Sequence, residues 1–229
     1  MPEFKGFSLA TRDFLLELEA NNNRDWFAEH KPRYEAEVLE PALDYIATMQ
    51  EPLAGLSEHF RAIPKRMGGS LMRVYRDTRF GKDKRPYKTN IGIQFRHEQG
   101  KDVHAPGYYL HLAEDGCFLG VGLWRPESGA LAGIRDRIAF RPKEWQRASR
   151  SRPFTSRFTF GGESLKRPPR GYTADHPQIE DLKRKDFIAA MDFDFERAMK
   201  PNFVKWSTDQ WRAATPLMAF LCAAVEVPF

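Results

Sequence analysis

A chain of 229 residues and 26.5 kDa is long enough to bury roughly 70% or more of its unfolded surface. Apolar residues make up 41% of it and aromatics 13%, which excludes a disordered chain despite 29% charged residues. The net charge is +5, and no run approaches the ~20 apolar residues of a membrane span, so the sequence predicts no membrane partner.

The N-terminal MPEFKGFSLATRDF has no basic region leading into an apolar run, the pattern of a secretory signal, and the expected location is the cytoplasm. Cys117 and Cys222 lie far apart without ligand spacing and read as two reduced, packed thiols. Charge is segregated along the chain. Residues 1–60 hold five Lys+Arg against twelve Asp+Glu, residues 73–88 seven against two, and residues 134–170 eleven against three. Such an arrangement is either an anion-attracting surface or two faces that neutralise each other.

Ser8 or Thr11 is placed to cap a first helix over about 8–20, and the Asn21-Asn22-Asn23 run ends it. From Asp25 the apolar residues Phe27, Tyr34, Val38, Ala42, Tyr45 and Met49 recur at helical spacing, so a long second helix is expected, broken at Pro32 and Pro41. Beyond Pro64 the period changes to two. Leu71–Tyr75, Ile91–Phe95, Tyr108–Leu112 and Cys117–Trp124 predict a meander of about four strands, with residues 76–88 as a long connection.

One or two helices are expected over about 127–149, followed by a Pro-, Gly- and Arg-rich loop with one short strand at most. A short helix after His176-Pro177, a strand over 187–193 and helical material over 195–224, broken near Pro201 and Pro216, complete the pattern. Helices at both ends of an antiparallel β-meander sheet predict an α+β fold. Nothing divides the chain, so residues 1–229 read as one domain.

The strongest chemical signal is Arg73-Val-Tyr-Arg-Asp-Thr-Arg-Phe-Gly-Lys-Asp-Lys-Arg-Pro-Tyr-Lys88. Guanidinium forks and mobile ammonium groups together suit a carboxylate or phosphate. Arg73, Arg76, Arg79, Lys82, Lys84 and Lys88 are the candidate electrostatic site, with Tyr75, Tyr87, His111 and Trp124 as walls. Asp77 is the candidate orienting or general-base carboxylate, and Gly81 and Pro86 constrain the loop so that Arg76, Asp77, Arg79 and Lys88 are expected around one cavity. The alternative is a solvated hairpin whose charges pair with the acidic N-terminal helices. His111 faces away from Leu110 and Leu112, toward either a concave sheet face shared with Tyr109 or solvent. Trp124 either rims a pocket or caps the core.

The segment RDTRFGKDKRPYK, preceded by NNNRDWFAEHKPRYE, resembles the signature of a widespread bacterial and fungal family of conserved hypothetical proteins, a domain of unknown function. The likeness continues through GYYLHL, GVGLWRP and LKRPPRGYTADHP, over most of the chain; the compact end VEVPF departs from it and suggests a short last helix. The resemblance implies a single-domain protein and assigns no substrate, cofactor or catalytic residue.

Other chemistry lacks a pattern. The histidines His30, His59, His97, His104, His111 and His176 form no ligand motif, so no metal is expected, and the glycines form neither a P-loop nor a dinucleotide fingerprint. No GxSxG occurs. The leading expectation is therefore a protein for a small anionic ligand, such as a phosphate-bearing one, without a cofactor. The alternatives are weak, largely electrostatic nucleic-acid binding and a protein-interaction domain. Oligomeric state is left open.

Overall fold

The computed structural model describes residues 4–79, 82–100 and 106–229. Phe80, Gly81 and His104, which belong to the expectations above, lie outside them.

Helix α1 (Leu9–Ala20) starts from a capping box: Ser8 Oγ accepts the Thr11 N–H at 3.2 Å while the Ser8 N–H donates to Thr11 Oγ1 at 3.3 Å. Asn21 closes it, and Asn23 caps α2 (Arg24–Glu29) through the Trp26 N–H at 2.9 Å. The long second helix is a relay of α3 (Lys31–Tyr34), a π turn (Glu35–Leu39), α4 (Glu40–Thr48) and α5 (Gln50–Ala54). Pro32 and Pro41 sit in the first turns of α3 and α4, where a missing N–H is tolerated; the helical run breaks before each of them, at His30 between α2 and α3 and in the π turn that leads into α4. Pro41 cannot donate to the Glu37 carbonyl four residues back, and that carbonyl accepts the Thr11 hydroxyl at 2.6 Å.

Six strands form one antiparallel sheet: β1 (Phe60–Arg61), β2 (Asn90–His97), β3 (Gly107–Ala113), β4 (Cys117–Leu123), β5 (Thr159–Phe160) and β6 (Phe187–Phe193), in spatial order β1-β2-β3-β4-β6-β5. The fold is α+β, with helices packed from both ends of the chain. The expected strand at Leu71–Tyr75 is not continuous. Ser70 and Met72 bond to Gln94 and Gly92 on the edge of β2, after which the backbone changes partner and pairs with its own return leg, Val74 with Lys88 and Arg76 with Pro86. A segment that divides its hydrogen bonds between two neighbours builds isolated bridges, Leu71 to Ile93 and Tyr75 to Tyr87, and no ladder.

Helices α6 (Ser128–Phe140), α7 (Pro142–Arg150) and α8 (Arg152–Thr155) follow β4, and α9 (Ile179–Leu182) precedes β6. The chain ends with α10 (Phe195–Ala198), α11 (Phe203–Arg212) and α12 (Thr215–Ala224). The helical material breaks near Pro201 and again just before Pro216, which lies in the first turn of α12.

Alternation along the strands buries one sheet face. Ile91, Ile93 and Phe95 of β2, Tyr108, Leu110 and Leu112 of β3, Leu119, Val121 and Leu123 of β4, and Phe187 and Ala189 of β6 are all buried in one cluster with the helices. Trp211 of α11 sits edge-on to Phe95 at 5.7 Å and tilted against Tyr108 at 5.5 Å. Each such aromatic contributes burial of ~1.5–3 kcal/mol against the ordering entropy of the chain. Both thiols are free and buried, and burial pushes Cys222 up to about 12. No helix among the described residues is long and apolar enough to cross a membrane.

Candidate functional site

The basic hairpin is held from below by α1's terminus. Asn22 Nδ2 donates to the Tyr87 carbonyl at 3.0 Å and the Tyr87 N–H donates to Asn22 Oδ1 at 3.0 Å, so one side-chain amide satisfies Tyr87 as a neighbouring strand would. The Tyr87 ring stacks on Phe27 at 4.1 Å, which buries it and anchors the return leg of the hairpin.

Most of the hairpin's arginines are paired within the hairpin. Arg79 grips Asp77 with two hydrogen bonds of 3.0 and 2.7 Å at the surface, and Arg76 and Arg85 converge on Asp83 at 2.5 and 2.9 Å. These guanidinium groups hold the Asp77 and Asp83 carboxyls well below the usual carboxylate range. A carboxylate so weakly basic is a poor proton acceptor near neutral pH; as a hydrogen-bond acceptor it fixes its arginine. Lys84 Nζ donates to the Thr78 carbonyl at 2.8 Å, and Lys82 and Tyr75 are exposed.

Lys88 is different. It is half-buried just before β2, in a crevice with Leu15, Leu18, Tyr34 and Val74, and its ammonium has no hydrogen-bond or ion-pair partner among the described residues. Burial lowers its pKa from the ordinary 10.5, and Arg73 nearby lowers it further. Arg73 is itself exposed and makes no ion pair among the described residues. Two neighbouring cations thus lie together without an ion pair among the described residues: Arg73, which acts on the Asp77 carboxylate only through space, and the half-buried Lys88.

The second feature is the sheet face opposite the core. Strand register aligns Gly92, His111, Phe118 and Asp192 in one row, Gln94, Tyr109, Gly120 and Ala190 in the next, and Arg96, Gly107, Gly122 and Ile188 in a third. A cavity of about 390 Å³ lies over the last two rows, walled by Met72, Tyr109, Phe118, Trp124 and Ile188. Gly107, Gly120 and Gly122 line it without side chains, and at Gly122, where φ is +114°, a Cβ would collide with the Phe187 carbonyl.

On this face the Tyr109 hydroxyl is 3.0 Å and Asn90 Nδ2 3.4 Å from His111 Nδ1. An amide nitrogen only donates, so Nδ1 is the acceptor and the ring hydrogen sits on Nε2. Burial lowers the His111 pKa and keeps the imidazole neutral, while it pushes Tyr109 up to about 12. His111 stacks on Phe118 at 4.7 Å and borders a more open, acidic hollow lined by Asp115, Asp192 and Asp194. Trp124, 45% exposed, stands at the opposite end of the cavity with the Arg125 guanidinium 4.8 Å from its ring.

These arrangements are spread over nearly the whole chain, from Asn22 in the N-terminal helices to Ile188 in β6, and the model of one family of conserved hypothetical proteins, DUF2461, matches residues 10–220. The chain belongs to the DUF2461 family. No curated protein and no solved structure matches it.

Within this DUF2461 chain the candidate residues divide into three places. Arg76, Asp77 and Arg79 are paired on the hairpin, where Lys82, Lys84 and Tyr75 face solvent. Arg73, Tyr87 and Lys88 belong to the hairpin's base, and His111 and Trp124 to the open sheet face. Exposed Arg79 and Asp77 do not share a cavity with Lys88. Asn22, Asn90, Met72, Gln94 and Phe118 were not singled out by sequence. Asn90 and Gln94 carry the two-residue parity that places them opposite Ile91 and Ile93, but the partner rows appear only once the register is set.

Proposed function

We propose that this DUF2461 protein binds a small organic anion, with Arg73 and Lys88 holding the charged group and the apolar cavity over Tyr109, Gly120 and Gly122 seating the body. The observation that carries this reading is Lys88. A half-buried ammonium beside a second cation, with no carboxylate to offset it, is costly in the empty protein, and an anion removes that cost. Met72 supports the link, because it lines both the Lys88 crevice and the apolar cavity. The cavity's volume falls in the range of small-molecule sites.

An extended nucleic-acid strand fits less well. Stacking needs free ring faces, whereas His111 and Phe118 cover each other and the adjoining hollow is acidic.

Thermal unfolding with inorganic phosphate, phenyl phosphate and benzoate tests the proposal. The wild-type midpoint is expected to rise, most with an aromatic anion, by an amount that reaches about 2.7 kcal/mol at a hundredfold excess over Kd. Lys88→Met is expected to unfold at the same or a higher midpoint without anion and to lose the response. A wild-type midpoint indifferent to all three anions, or a full response in Lys88→Met, overturns the reading.

A further inference from the structure

A second cavity, of about 490 Å³, lies where the end of β4, helix α6 and the segment before β6 meet. Its wall carries Arg125, Arg135 and Lys185 against Glu163 and Asp186. The two carboxylates are already engaged. Asp186, only 4% exposed, accepts the Arg125 N–H at 2.8 Å and the Glu163 N–H at 2.9 Å, and Glu163 pairs with Lys185 at 2.9 Å.

Asp186 thereby locks the two walls to each other. Arg125 follows β4 in a left-handed conformation (φ +48°), and its N–H is tied to the same carboxylate that Gly162 (φ +86°) approaches so closely that a Cβ there would clash with it. Arg125's guanidinium lies over Trp124 and forms no ion pair among the described residues.

Arg135 is the deeper cation. Its Nε donates to the Leu182 carbonyl at 2.8 Å and its Nη2 to the Arg184 carbonyl at 3.0 Å. Carbonyls fix the fork and bring no net charge, and Arg135 has no ion-pair partner among the described residues. Arg135 borders the hollow together with the apolar Pro126, Leu131 and Leu165. The hollow offers two guanidinium groups beside an apolar surface, set against one carboxylate, Asp186, that is turned onto main-chain N–H groups, so the wall carries a net positive charge.

We infer that this cavity is a second anion site, in which Arg125 and Arg135 grip the oxyanion group of a small molecule, a carboxylate or a phosphate, whose short apolar stem rests on Leu131 and Leu165. It shares no residue with the Arg73–Lys88 pair and does not depend on that reading. The stem's wall is aliphatic, which separates its ligand class from one seated in the aromatic cavity over Tyr109.

The test is a ¹H–¹⁵N titration of the full chain with inorganic phosphate and, separately, with isovalerate, read at the Arg135 Nε–H and the Glu163 and Arg125 amides. It is run in wild type and in Lys88→Met, so that occupancy of the first site cannot produce the signal. Saturable shifts at these groups are expected in both proteins with at least one of the two anions. Tighter binding of isovalerate identifies a carboxylate on a stem, and tighter binding of phosphate a phosphate group. Arg125→Ala removes an exposed side chain and leaves the main-chain bonds to Asp186, so it is expected to fold and to weaken the anion by about tenfold or more. Absence of shifts with both anions, or an unchanged affinity in Arg125→Ala, overturns the inference.

Discussion

Residue chemistry alone does not separate Lys88 from its neighbours: the hairpin carries seven cations, and the sequence gives each the same claim on an anion. What distinguishes them is who answers the charge. Asp77 and Asp83 answer Arg79, Arg76 and Arg85, and nothing among the described residues answers Lys88. This has a consequence for pH. The lysine's pKa in the fold lies below the 10.5 of an unfolded chain, so above the lowered value the unfolded state binds more protons and stability rises with pH up to 10.5. The difference in urea midpoint between wild type and Lys88→Met is expected to shift in favour of wild type across that alkaline window. A difference that stays flat there would show that Lys88 is as well hydrated as a surface lysine. Anion binding, which restores the ammonium, is expected to take up protons in the same window.

Elements governed by local rules were legible. The Ser8 cap, the ends of α1, the strands β2 to β4 and β6 and the paired helices α6 and α7 follow from capping residues and hydrophobic period. The Leu71–Tyr75 segment was not, because its alternation is that of a strand and its fate depends on a change of partner between β2 and Lys88. The sheet-face cavity was legible only at Tyr109 and Trp124; His111, read with Tyr109 as one alternative for a concave face, borders the acidic hollow instead, and the walls Met72 and Ile188 come from segments far apart in the chain.

Asn22 belongs to this scale, since its amide stands in for the strand that Tyr87 lacks. Asn22→Ala leaves two buried main-chain groups without partners and is expected to cost about 1–3 kcal/mol in denaturant melts. It is also expected to weaken any stabilisation by anions, because Tyr87 and Lys88 are neighbours on the return leg, which Lys88 pairs to Val74 on the outgoing one. Full retention of stability would mean that the Tyr87–Phe27 stack alone holds the hairpin.

At the scale of the molecule, the segregated charge was legible as a sum and not as a set of pairs. The acidic N-terminal segment is met partly from within, Arg33 bridging Glu17 and Glu37 at 2.8 and 3.3 Å, and partly by Arg66, which reaches Glu40 at 2.6 Å. Arg12 carries the same segment to Glu114 at the β3–β4 turn, 2.7 Å away. Ion pairs of this exposed kind orient elements more than they stabilise them. The weight of the fold rests on the buried aromatic cluster beneath the sheet, whose members were supplied by composition and sorted by period.

The strand order also dictates a sequence of events during folding. Strands β2, β3 and β4 are close in the chain and can zip together early, whereas β6 pairs with β4 only after α6, α7, α8, β5 and α9 have been spanned. Closing so long a loop is entropically slow, and the helices that shield Trp145 must settle before Phe187 can pack edge-on against it at 5.9 Å. In pulse-labelling hydrogen exchange, the amides of Ile93, Leu110 and Gly120, which face partners within the β2–β3–β4 meander, are therefore expected to gain protection in an earlier phase than those of Ala189 and Met191. Simultaneous protection of all five would place the β4–β6 pairing in the folding nucleus, and the nascent three-stranded meander would then have no separate existence in time.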